Sequence, residues 1–124
     1  MSARLFLISG ILLMLLAVAL GAFGAHGLQS IVTEHALQTW KTAVQYQVYH
    51  ALGLIGLGTW SEAKTMSRWI RMTALAFLTG ILLFCVSLYA LVLSGQSLLG
   101  MITPFGGFAF LIGWLCWLMA VLKN

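Results

Sequence analysis

Apolar and polar residues in this chain are sorted into whole segments. Four apolar stretches, approximately residues 5–25, 41–60, 70–93 and 103–122, are separated by short gaps that hold most of the polar side chains. A helix needs about 20 apolar residues to cross a hydrocarbon core of roughly 30 Å, so the pattern predicts four membrane-spanning helices. The first stretch carries no charge after Arg4 and closes on small residues, Ala22-Phe23-Gly24-Ala25, that are compatible with a signal-peptide cleavage site. Its apolar run exceeds the roughly 7–15 residues of a signal-peptide core, and the segment is expected to be retained as a span. The second stretch is the weakest, because Lys41, Gln45, Gln47 and His50 crowd its first half. Such groups are expected to face other helices rather than lipid. Residues 27–39 mix Leu28, Ile31, Val32 and Leu37 with Gln29, Thr33, Glu34, His35 and Gln38, which fits a short helix lying in the membrane interface. Thr103-Pro104 reads as an N-cap followed by proline at the first helical position.

Composition removes the soluble alternative. With 62% hydrophobic and 6% charged residues, 124 residues lack the polar surface of a water-soluble domain. The length suits one four-helix transmembrane domain over residues 1–124 and little else. The net charge of +4 does not point to nucleic acid, because the basic residues flank apolar segments instead of forming a patch. Cys85 and Cys116 lie inside apolar runs, where thiols behave as small hydrophobes; neither a disulfide nor a metal framework is expected.

Charge also predicts orientation. Arg4, Lys64, Arg68, Arg71 and Lys123 fall at the amino terminus, the second gap and the carboxyl terminus, and only Lys41 falls elsewhere. The positive-inside rule then puts both termini and the middle gap in the cytoplasm of a multi-pass inner (plasma) membrane protein. Small residues recur at helical spacings, Ala17, Gly21 and Gly24, then Gly53 and Gly56, Ala76 and Gly80, and Gly106 and Gly113. They allow close helix packing in lipid.

In this topology the unusual residues converge on the outer leaflet: His26, then Trp40, Gln45, Tyr46, Gln47 and His50, then Ser87 and Tyr89, then Thr103, Gly106 and Gly107. At about 1.5 Å rise per residue, His50 lies roughly 12–15 Å below the start of the second span, where an unpaired ring is costly. Tyr46 and Gln47 stand four and three residues away and are expected to share its face in a hydrogen-bonded strip.

Four motifs carry a family resemblance: Gly-Ala-Phe-Gly-Ala-His-Gly at 21–27, Trp40 with Tyr46 and His50, Leu-Phe-Cys-Val-Ser-Leu-Tyr at 83–89, and Thr-Pro-Phe-Gly-Gly at 103–107 with Gly113-Trp114. Together they resemble the YgdD-like family of small inner-membrane proteins, catalogued as domain of unknown function 423. One departure is Cys85-Val86, where the family pattern has Ser-Gly. The family brings no established activity, so the resemblance implies location and four-span architecture only.

For function, the expected reading is a non-enzymatic membrane protein. Its outer-leaflet cluster of His26, Gln45, Tyr46, Gln47, His50, Tyr89, Thr103, Gly106 and Gly107 would bind a small molecule or lipid, or serve an accessory or transport role. A competing reading makes the same polar residues interhelical glue in a structural subunit. Another uses His26 and His50 as haem or metal ligands, the metal shared with Glu34 or His35. No cofactor is predicted, since no dense ligand spacing appears. A hydrolase or transferase would need a nucleophile beside a base, and Ser87, Thr103 and the histidines supply the types without a recognisable motif. The expected partners are membrane lipid and a membrane protein or a second copy of the chain.

Overall fold

A computed structural model describes residues 1–123, and among them the regular structure is all helical, without a strand. The main helices are α1 (Ala3–Leu28), α2 (Glu34–Ser61), α3 (Arg68–Ser94) and α4 (Thr103–Lys123). A 3₁₀ turn, Ser97–Met101, leads into α4. Two stretches widen to π geometry, Gly24–Leu28 closing α1 and Ile81–Val86 in the middle of α3. Among the described residues, α1, α3 and α4 with its preceding turn are long and apolar enough to cross a membrane. α2 is the longest helix at 28 residues but is not in that set. Its first half holds Lys41, Gln45, Gln47 and His50, which lower its apolar character.

The interfacial helix expected over residues 27–39 does not form. Gly27 and Leu28 belong to the last turn of α1, and α2 already begins at Glu34, leaving a connection of residues 29–33. The cause is local, since the Thr33 side chain accepts the Ala36 N–H at 3.1 Å and caps the helix seven residues earlier than the expected start of the span. The following turn is then held by Trp40, which is buried on α1.

α1 packs along α2, α4 packs along α3, and α2 and α3 form the central contact between these two hairpins. Phe77 of α3 is wholly buried where three helices meet. A Cβ at Gly53 of α2 would come within 2.9 Å of its ring, and one at Gly113 of α4 within 2.5 Å, so these glycines make the room that the phenyl group fills.

The connections are antiparallel, and the basic residues gather at one end. A Cβ at Gly58 would lie 2.9 Å from the Ala3 carbonyl oxygen, which ties the start of α1 to the end of α2. At the same end Lys64 lies 5.4 Å over the Trp60 ring, Arg68 4.9 Å over Trp69, and Lys123 5.4 Å over Trp69. Lys41 stands apart from this group, near the opposite end of α2.

Candidate functional site

His50 is the deepest polar ring of α2 and is 3% exposed. Its Nδ1 lies 2.7 Å from the Tyr46 carbonyl oxygen, and its Nε2 lies 3.0 Å from the Trp114 indole nitrogen. An indole N–H only donates and a carbonyl only accepts. The two contacts therefore specify one neutral tautomer, with the proton on Nδ1 and the Nε2 lone pair accepting from Trp114. Phe110 stacks on the imidazole at 3.6 Å between centroids and 9° between planes, and Phe77 meets it edge-on at 5.2 Å.

The candidate residues on α2 divide between two faces instead of forming one strip. Gln47 turns away from His50 into the contact with α1 and α3, where its Nε2 donates to the Leu13 carbonyl at 2.8 Å. Its Oε1 accepts from the Tyr89 hydroxyl at 2.7 Å. Trp40, stacked obliquely on Tyr89, donates its indole N–H to the Leu20 carbonyl at 2.8 Å, just before the π turn of α1. This row holds α1, α2 and α3 together by satisfying every polar group it buries. On the other face, Gln45 donates to the Tyr49 hydroxyl, and Tyr46 packs its ring on Phe84 at 4.7 Å.

The remaining candidates separate as well. Thr103 meets Ser87 at 2.8 Å between hydroxyls, a link from α4 to α3 in which Ser87 also donates to the carbonyls of the π turn. Gly106 is buried against the backbone of Phe84, where a Cβ would sit 2.6 Å from the Phe84 Cβ. Gly107 has room, its nearest neighbour being the Phe84 ring at 4.0 Å. His26 lies exposed in the terminal turn of α1, away from the others.

Between α2 and α4 the packing leaves a groove of about 790 Å³. Tyr46, Tyr49 and His50 line it from α2, and Phe108, Leu111 and Trp114 from α4, while Phe84 and Phe110 close its back. Its mouth runs along the flanks of the helices, where Phe108 is 65% and Leu111 60% exposed. Walls of this kind, apolar with a few polar groups, are those of small-molecule sites, which typically measure about 300–1,000 Å³. Below the groove the Trp114 and Trp117 rings stack, and Trp117 covers Gly56.

The groove unites Tyr46, His50 and Gly107 and excludes His26, Gln45, Gln47, Tyr89, Thr103 and Gly106. Its other walls, Tyr49, Phe84, Phe110 and Trp114, were not candidates in the sequence. Trp114 left a signal: it stands eleven residues into α4, a depth close to that of His50 in the second span, and its indole is a donor that a buried imidazole needs.

No group of three or more His, Cys, Asp or Glu side chains among the described residues could hold a metal. Coordination by His50 would require it to release Trp114 or the Tyr46 carbonyl, since both nitrogens are engaged. Ser87 is likewise turned to carbonyl acceptors and to Thr103, with no base beside it.

A family model described as "Protein of unknown function (DUF423)" matches residues 20–107. The chain is 42% identical over 120 residues to a UPF0382 membrane protein of Staphylococcus aureus (strain bovine RF122 / ET3-1), covering 97% of each chain. It is 42% identical over 120 residues to the UPF0382 membrane protein YwdK of Bacillus subtilis (strain 168), covering 97% of this chain and 98% of that one. A relative from Staphylococcus haemolyticus is 38% identical over the same length. No solved structure matches. The chain belongs to the DUF423 family of membrane proteins.

Proposed function

We propose that this member of the DUF423 family is a non-enzymatic inner-membrane protein that holds an apolar or amphiphilic molecule in the groove between α2 and α4. In this reading residues 1–124 form one transmembrane domain of four spans, with both termini in the cytoplasm. The basic end supports the orientation, because Lys64, Arg68 and Lys123 lie over tryptophan rings as interfacial cations and aromatics do. Burial supports α2 as the fourth span, since Gln47 and His50, the two deeper of the four polar groups that weaken its hydropathy, are 3% exposed and hydrogen-bonded to protein, while Lys41 and Gln45 lie in its outer turns. They face the bundle and leave the flank of α2 to lipid.

The observation that carries the binding role is the groove itself, a lateral opening of about 790 Å³ with an aromatic back and one fixed imidazole. It opens where lipid would reach it without crossing a polar rim. Gly107→Trp tests the reading by placing an indole in the open space beside that glycine. Native mass spectrometry of protein released from its own membrane should show a bound molecule on the parent chain, and several-fold less on Gly107→Trp at unchanged thermal stability. Equal retention by both proteins contradicts the groove as the binding site.

A further inference from the structure

The groove has a length and a polar edge that narrow what it holds. On α4 its lining runs from Pro104 to Trp114, ten residues or about 15 Å. That is half of a hydrocarbon core of roughly 30 Å, the depth of one leaflet. α4 has 21 residues, about 31 Å, so the groove occupies the half of the bundle toward the start of α4 and stops at the His50–Trp114 bond near its middle.

The polar edge is on α2. Lys41, Gln45 and Tyr49 stand four residues apart, all exposed, on one line that descends into the groove. Gln45 and Tyr49 are joined by a hydrogen bond. α2 measures about 42 Å over its 28 residues, longer than the core, so its first turns project beyond the hydrocarbon and Lys41 falls near the boundary. It is the basic residue left over when the other five of the 6 are assigned to the opposite end. Glu34, two turns earlier and about 10 Å farther out, is the acidic group on the same line.

Resting on the groove reading above, we infer that the occupant is an anionic phospholipid of the leaflet at that end. One acyl chain lies between α2 and α4 with its tip against His50 and Trp114, and the phosphate is met by the Lys41 ammonium. The fit is one of length, apolar walls and charge sign. A lipid enters sideways from its own leaflet, and Gln45, one turn below Lys41 and held by the Tyr49 hydroxyl, meets the ester region, where an apolar molecule without a headgroup would leave it unused.

The test reconstitutes the full chain into vesicles of equal parts phosphatidylglycerol and phosphatidylcholine and weighs the lipids that remain bound after detergent extraction. The parent protein is expected to retain phosphatidylglycerol in preference. Lys41→Gln should lower that preference about fivefold, the effect of about one basic side chain at an anionic surface, while total bound lipid stays the same. Gly107→Trp should lower both lipids together. Unchanged preference in Lys41→Gln, with Gly107→Trp still losing lipid, overturns the anionic headgroup and leaves the groove reading standing. If Gly107→Trp loses nothing, the groove reading fails and this inference with it. Arg71→Gln, at the far end of α3, serves as the control, and an equal loss of preference there overturns the assignment to Lys41.

Discussion

Trp114 of α4 donates its indole N–H to Nε2 of His50 on α2 at 3.0 Å, a hydrogen bond between the two helices that flank the groove. The bond closes the inner end of the groove and holds the imidazole flat against Phe110. Trp114→Phe keeps an aromatic ring but leaves the Nε2 lone pair without a donor, and should cost about 1–3 kcal/mol. In a double-mutant cycle with His50→Phe, the two losses should be less than additive by about 0.6–1.7 kcal/mol, the range for interhelical hydrogen bonds in lipid. Thermal unfolding in detergent measures it, and full additivity would show that the two side chains are energetically independent.

The same pair bears on the haem and metal reading. His50→Gln removes the imidazole, and in the tautomer assigned here it removes a packing and orienting group but no ligand. Optical spectra of the purified parent chain should show no Soret band, and its metal content should not change between the parent and His50→Gln. A stoichiometric metal lost in the variant would mean that His50 surrenders Trp114 to coordinate.

Gln47 is the buried link among three helices, with its amide shared between the Leu13 carbonyl and the Tyr89 hydroxyl. Tyr89→Phe removes one of these bonds and should destabilise by about 1 kcal/mol. Gln47→Leu leaves both the Tyr89 hydroxyl and the Leu13 carbonyl without their partner and should cost more. Lipid retention is expected to be unchanged in Tyr89→Phe, because Tyr89 lies outside the groove. A selective loss of lipid in that variant would move the binding site to the α1 side.

Gly106 and Gly107 are neighbours with opposite tolerances. Alanine at Gly106 would drive a Cβ to 2.6 Å from that of Phe84 and force α4 away from α3, at a cost of about 1–3 kcal/mol. Alanine at Gly107 meets nothing nearer than 4.0 Å and should change stability by less than about 0.5 kcal/mol. Melting temperatures of the two variants side by side decide it, and equal values would mean that α3 and α4 do not approach closely at Gly106.

If the proposed four-span topology holds, a fluorescent reporter at either terminus, or between residues 62 and 67, matures in the cytoplasm. Alkaline phosphatase inserted between residues 29 and 33 or after Gln96 should be active outside. Activity of the phosphatase at residues 62–67 would show that α2 does not cross.

Much of this architecture was legible in the chain because it rests on segment length and charge, which are local. The helices follow from the apolar runs, three of which are long and apolar enough to cross a membrane, and the basic end follows from where Lys64, Arg68 and Lys123 fall. The pairing of side chains was not legible, because it depends on how the helices are rotated. Gln47 and His50, three residues apart, were expected on one face, yet α2 is clasped on two sides and each turns to a different neighbour. The groove was hidden for the same reason, since Tyr49 and Phe110 read as ordinary positions until the packing of α2, α3 and α4 brings them together around His50. The interfacial helix was an error of boundary: a single Thr33 cap extends α2 over residues whose mixed polarity suggested a separate element.

The most direct test of lipid in the α2–α4 groove is a density map of the protein extracted with its native lipids. An elongated density about 15 Å long, running from beside Pro104 to the His50–Trp114 bond with a headgroup feature near Lys41, is the predicted result. A map in which lipids are ordered around α1 while α2 and α4 close directly on each other, leaving no space beside His50, would contradict it.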